Sequence, residues 1–283
     1  MKMKGLALPF LTSLLLVSLF LPSSPATSPP KALPPLMLWA WERREDLSFI
    51  DPSKAGVAYL AGTISLWGDE ARWLPRMQPL DVPPGTAVIG VVRVEWSSRR
   101  PPSCSKSQAE RVARLLLRVG AKPFLRGLQV DYDAPLSQRA FYESLLGRVR
   151  RGLRSGEMLS VTALASWRLD EPWACSLPVD EAVVMLFRMG PAASEVRRQI
   201  REGMAPCSAR PDAFGVALDE PVSHIPQGRV YVFNPKPWTA ADFTAFQPRL
   251  ARCRPSSLPP FPVSLSPCFP VSIFPEVSHA APN

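Results

Sequence analysis

The stretch that decides the fold is 127–133, Gly-Leu-Gln-Val-Asp-Tyr-Asp. Read as a strand, its side chains alternate between two faces. Leu128, Val130 and Tyr132 share one face, which suits packing beneath helices. Gln129, Asp131 and Asp133 share the other.

Seven further apolar, β-branched runs repeat the pattern: 36–42, 56–66, 86–96, 158–167, 182–189, 213–220 and 229–234. Most are nearly continuous in apolar residues, as strands covered on both faces are. Amphipathic segments separate several of them. Ser107 to Glu110 has capping-box spacing, Val112, Leu115, Leu116 and Val119 form a stripe, and Gly120 is the stop. Ser137 starts a second helix carrying Phe141, Leu145, Val149 and Leu153. Pro191 suits the first turn of a third helix, over 191–203, and Thr239 to Asp242 opens a fourth that ends near Arg252. Strand–helix alternation with eight strands predicts an α/β fold, an irregular (β/α)8 TIM-type barrel with some helices missing or short. The connections after the first two runs are too short or too proline-rich for full helices. A doubly wound open sheet is the alternative.

The flanks do not belong to this unit. Lys2 and Lys4 precede an apolar stretch from Gly5 to Leu21, and Ser24 and Ala26 form a small-x-small site. This predicts a signal peptide over 1–26 and an exported protein, periplasmic or extracellular, with no membrane span after cleavage. An uncleaved anchor is the rival reading. A proline-rich linker over 27–35 leads to the barrel, 36–254. Residues 255–283 repeat proline every few positions, which blocks helices and sheet ladders, so they read as a low-complexity tail.

Composition narrows the chemistry. Hydrophobic residues at 46% and charged residues at 20% allow a sizeable core. The net charge of +9 comes mainly from arginines placed on predicted helix faces, away from the apolar stripes. These read as solvated surface, and with export they argue against a nucleic-acid partner. Only His224 and His279 are present, which disfavours a multi-histidine metal site. No P-loop, GxGxxG or CxxC occurs, so neither metal nor cofactor is expected. Of the five cysteines, Cys175 and Cys207 flank 181–204 and are the expected disulfide. An esterase built on Ser160 or Ser166 with His224 lacks a GxSxG elbow.

In a barrel, functional groups project from the C-terminal strand ends. Asp131 and Asp133 point inward with Cα atoms roughly 6–7 Å apart, so they repel and at least one pKa is expected to rise. A protonated carboxyl beside an ionised one suits glycosidic cleavage. Asp133 is the expected proton donor and Asp131 its electrostatic neighbour, with Glu95 or Glu220 as base or nucleophile. Tryptophans gather at the same strand ends: Trp39, Trp41, Trp167 and Trp238. With Arg93 and Gln129 they form the expected substrate-binding set for a glycan. A non-catalytic glycan-binding or envelope-associated barrel is the alternative.

The segments LWAWER, VDYDAPLSQRAFYESLL, LSVTALASW and VDEAVVMLFRMG resemble a bacterial family catalogued as domain of unknown function 3142, over most of 36–250. That resemblance implies an exported barrel of glycoside-hydrolase type. The fourth run also resembles the chitinase-type glycoside hydrolases, whose fourth strand reads Asp-Gly-x-Asp-x-Asp-x-Glu. Gly127 and Asp131 match, Gln129 replaces an aspartate, and Asp133 stands where the acidic glutamate is. Phe187 replaces a tyrosine hydroxyl, and Trp238 matches a tryptophan after strand eight.

Overall fold

The computed structural model describes residues 33–168, 173–202 and 212–254. The segment expected as a signal peptide, most of the expected linker, the expected tail and Cys207 lie outside the described residues.

All eight runs are parallel strands of one sheet: β1 (Leu36–Ala40), β2 (Ala55–Trp67), β3 (Val88–Trp96), β4 (Leu125–Asp131), β5 (Met158–Leu164), β6 (Glu181–Met185), β7 (Asp212–Ala217) and β8 (Arg229–Phe233). Each pairs with the next in chain order, and β8 returns to β1, Leu38 opposite Val232. On its other side Leu38 is opposite Val57 of β2, so the sheet closes into a barrel and the open-sheet alternative falls.

Helices cover it unevenly. β3 leads to α1 (Lys106–Gly120), β4 to α2 (Arg139–Gly152), β5 to the one-turn α3 (Trp173–Ser176), β6 to α4 (Ala193–Glu202) and β8 to α5 (Ala240–Cys253). The first two connections carry no helix, as expected of connections that are too short or too proline-rich. Short strands Glu45–Asp46 and Leu80–Asp81 pair there instead. An antiparallel strand, Glu70–Pro75, folds back along the second half of β2. Gly68 makes that turn at φ +49°, a conformation that strains a residue with a Cβ.

Two helix starts differ from expectation. Ser105, not Ser107, caps α1: its Oγ accepts from Gln108 N at 3.2 Å, while Gln108 Oε1 accepts from Cys104 N at 3.0 Å. The cap lies two residues earlier than read, and the glutamine side chain reaches back one residue past it, to the N–H of Cys104. Ser137 lies in a 3-10 turn, Leu136–Gln138, set by Pro135, and α2 proper begins at Arg139. Thr239 caps α5 as read, accepting from Asp242 N at 3.0 Å.

The alternation in 127–133 sorts into two cores. Leu128, Val130 and Tyr132 join Val112, Leu116, Phe141, Leu145 and Val149 in the layer between strands and helices. Met37, Trp39, Ala58, Ile89, Val91, Val183, Ala213 and Tyr231 fill the barrel lumen. Burying each Leu or Val of the outer layer contributes about 1.5–3 kcal/mol, which makes the helix-covered shell the main source of stability. Among the described residues no helix is long and apolar enough to cross a membrane.

Candidate active site

The inward positions at the C-terminal strand ends enclose a cleft of about 250 Å³. Trp39 and Trp41 come from β1 and the residues just after it, Arg93 from β3, Asp131 and Asp133 from the end of β4. Thr162 and Leu164 come from β5, Met185 from β6, Phe187 and Arg188 from the turn after it, and Phe233 from β8. Because parallel strands present alternate residues inward, the strand-borne lining is one parity class of the barrel, to which the turn after β6 adds Arg188.

One wall is aromatic. Phe187 and Phe233 stack with ring centroids 5.9 Å apart and planes 7° apart. Trp41 meets Phe233 edge-on at 6.2 Å, and Trp39 lies 6.1 Å from Phe187. Arg188 lays its guanidinium over both phenylalanines, 5.6 and 5.3 Å from the centroids. Its backbone is left-handed, φ +49°, and is held there by Glu220, whose two carboxylate oxygens accept from Arg188 N at 3.1 and 3.0 Å. Asp219 fixes the guanidinium at 3.1 Å.

The opposite wall carries the acids. Asp131 Oδ1 accepts from Thr162 Oγ1 at 2.6 Å. Loss of hydration pushes the Asp131 carboxyl up to about 6, against the Thr162 hydrogen bond and the nearby Arg93 charge, with Asp133 and Glu95 adding to the rise. Asp133 is also raised, by loss of hydration and against the pull of Arg93, although its side chain reaches solvent at the rim. The expected rise is present, and burial outweighs like-charge repulsion as its cause. Glu95 pairs with Arg93 at 3.0 Å.

The structure therefore brings together Trp39, Trp41, Arg93, Asp131 and Asp133. Glu95 stands behind Arg93, and Glu220 braces Arg188 from outside the lining. Three residues expected at the glycan face other surroundings. Gln129 is wholly buried beneath the cleft, its amide bonded to Trp39 and Ser160. Trp167 is buried in the outer layer against Tyr142 and Trp173, because the chain after Leu164 turns away in a 3-10 turn. Trp238 packs behind β1, donating from Nε1 to Trp39 O at 3.0 Å, while its N–H reaches the buried Glu45 at 2.9 Å. Ser160 is fully buried, and His224 lines a separate groove with Leu186, Arg197 and Ile200, so no serine–histidine pair forms between them.

Thr162, Leu164, Met185, Arg188 and Phe233 line the cleft without being among the residues the sequence singles out. Thr162, Leu164, Met185 and Phe233 share inward parity with residues that are, so extending the alternation to strands five, six and eight would have found them. Arg188 has no such signal, since its position depends on a turn.

No protein-family model matches the chain, and comparison with curated proteins gives no match. Among solved structures, a chitinase from Rhizomucor miehei is similar at 14% identity with a TM-score of 0.41, covering 65% of this chain and 68% of that one.

Proposed function

We propose that the cleft binds a glycan and that its carboxyls hydrolyse a glycosidic bond. The observation that carries this reading is the pairing of two raised carboxyls, Asp131 and Asp133, with a wall of Trp39, Trp41, Phe187 and Phe233 in one cleft. Flat apolar faces stack on sugar rings, and a carboxyl with a raised pKa keeps its proton to higher pH than an ordinary aspartic acid, as a donor must. Asp133 reaches solvent at the rim and regains protons readily, which suits the donor. Asp131 lies deeper, held by Thr162, and tunes the pair. Glu95 is the second acid whose charge reaches Asp131, and it is the base or nucleophile in this scheme. Glu220 braces Arg188 and is left out of the chemistry.

A second reading has its own observation. Glu95 is paired with Arg93 and Glu220 with Arg188, so both second acids are already engaged. A barrel so arranged binds a glycan without cleaving it. Incubation of the wild type, Asp133→Asn and Glu95→Gln with neutral, amino and acidic polysaccharides separates the two. Release of reducing ends, abolished by Asp133→Asn, supports hydrolysis. Retention on a polysaccharide without turnover supports binding, and neither turnover nor retention overturns both.

Export fits a polysaccharide outside the cell. Fractionation with N-terminal sequencing after Ala26 tests the signal peptide, and non-reducing peptide mapping tests the Cys175–Cys207 bridge. Limited proteolysis leaving a core of about 36–254 tests the domain limits.

A further inference from the structure

Below the cleft, the barrel lumen holds a carboxylate that the proposed chemistry does not use. Glu181 begins β6 and is almost completely buried. Its Oε2 accepts from the Arg229 guanidinium, and its Oε1 accepts from Tyr231 OH at 2.7 Å and Ser160 Oγ at 3.2 Å. Ser160 Oγ accepts in turn from Gln129 Nε2 at 3.0 Å, and Gln129 Oε1 accepts from Trp39 Nε1 at 2.9 Å. Every bond in this series points its proton toward Glu181.

The direction is forced. A carboxylate only accepts and an indole N–H only donates, so the glutamine amide between them has one compatible orientation, and the serine hydroxyl, which also reaches Tyr231 OH, points its proton at the carboxylate. We infer that Glu181 is a positioning residue, which sets the polarity of the Ser160–Gln129 relay and so holds the Trp39 ring in the cleft wall. The inference rests on the reading of the cleft as a ligand site, and it assigns Gln129 to holding the wall rather than to touching the glycan.

Reversing the polarity is the test. In Glu181→Gln the new carbonyl must face Arg229, which leaves the amide NH2 facing Ser160 and Tyr231. Tyr231 OH, the other group within reach of Ser160, accepts from the same amide, so Ser160 accepts, its own proton goes to Gln129, and Gln129 turns its NH2 to the Trp39 N–H. Two donors meet and Trp39 loses its acceptor. Ser160→Ala lies nearer Trp39 yet leaves Gln129 free to keep Oε1 on the indole. Arg229→Met combined with Glu181→Gln removes the cation that forces the turn and restores the original direction.

The readout is the indole N–H resonance of Trp39 in the full-length, 15N-tryptophan-labelled protein, assigned with Trp39→Phe and recorded without glycan. Glu181→Gln is expected to shift this resonance and speed its exchange with solvent about tenfold, since an unpaired N–H loses protection. Ser160→Ala and Glu181→Gln/Arg229→Met are expected to leave it near its wild-type position. An unmoved resonance in folded Glu181→Gln overturns the proposal, as does an equal displacement in Ser160→Ala. Should Glu181→Gln fail to fold, Glu181→Leu/Arg229→Met replaces the ion pair by apolar side chains and leaves Ser160 without a directing acceptor. Two Trp39 resonances are then expected, and one unshifted resonance counts against the relay. No glycan enters the measurement, so its outcome is separate from whether the protein hydrolyses one.

Discussion

Thr162 donates from Oγ1 to Asp131 Oδ1 across 2.6 Å, from the inward face of β5 to the inward face of β4. The bond stabilises the ionised carboxylate, yet burial wins and the Asp131 carboxyl still titrates at about 6 instead of its ordinary 3.8. Between those two values the folded protein holds a proton that the unfolded chain has released. Stability contributed by this group is therefore fully present below about pH 4, falls as pH rises to about 6, and stays reduced above. Asp131→Asn is expected to raise stability at pH 7–8 by about 1–2 kcal/mol, discounted because the carboxyl keeps partial contact with water. The gain should disappear at pH 4. Thermal melts of both proteins at the two pH values measure it.

Arg93 lowers both carboxyls and also engages Glu95. Arg93→Met removes the cation and leaves Glu95 unpaired beside Asp131. Both changes favour the protonated acid, so the Asp131 titration should move upward from about 6. The carboxyl carbon shift, followed by NMR through pH 4–9, gives the direction at once. A downward move would mean that Arg93 is not the controlling charge.

Gly215 on β7 faces the ring of Trp39 so closely that an added Cβ would lie 2.7 Å from Trp39 Cη2 and 3.4 Å from Phe187 Cε1. Neither ring can retreat without moving the aromatic wall. Gly215→Ala should cost about 1–3 kcal/mol by overpacking and should weaken polysaccharide retention. Chemical denaturation and an affinity column read the two effects. Loss of stability with retention intact would separate Gly215 from the cleft.

Arg76 closes the loop beneath Trp41. Its guanidinium donates to the carbonyls of Ala40, Trp41, Arg43, Gln78 and Pro79. A planar fork with five donors serves such a set, and an ammonium does not. Arg76→Lys is expected to lose about 2–3 kcal/mol, because several half-buried carbonyls lose their donor. The lowered unfolding midpoint should be accompanied by a changed tryptophan emission.

Much of the barrel is legible before any coordinates. The eight runs are apolar because each strand is covered on both sides, and the alternation in 127–133 already separates the Tyr132 face from the Asp131 face. Even the missing helices after the first two strands follow from connections that are too short or too rich in proline, which removes backbone donors. What misleads is proximity along the chain. Trp167 and Trp238 follow strands closely, yet the turns after β5 and β8 carry them into packed layers. Gln129 shares the inward face with Asp131, but two residues down a tilted strand is one layer deeper, beneath Trp39.

The sequence by itself determined which residues face inward, because parity along a strand is a local property of the backbone. It also placed the two aspartates on that face and the helices around them. Only the tertiary structure decided depth and partnership: that Asp131 meets Thr162, that Arg188 lies over two phenylalanines, and that Glu181 directs a line of hydrogen bonds to Trp39. Those relations join residues up to 142 positions apart in the chain (Trp39 to Glu181), and they exist only once β8 pairs with β1 and the sheet becomes a closed ring.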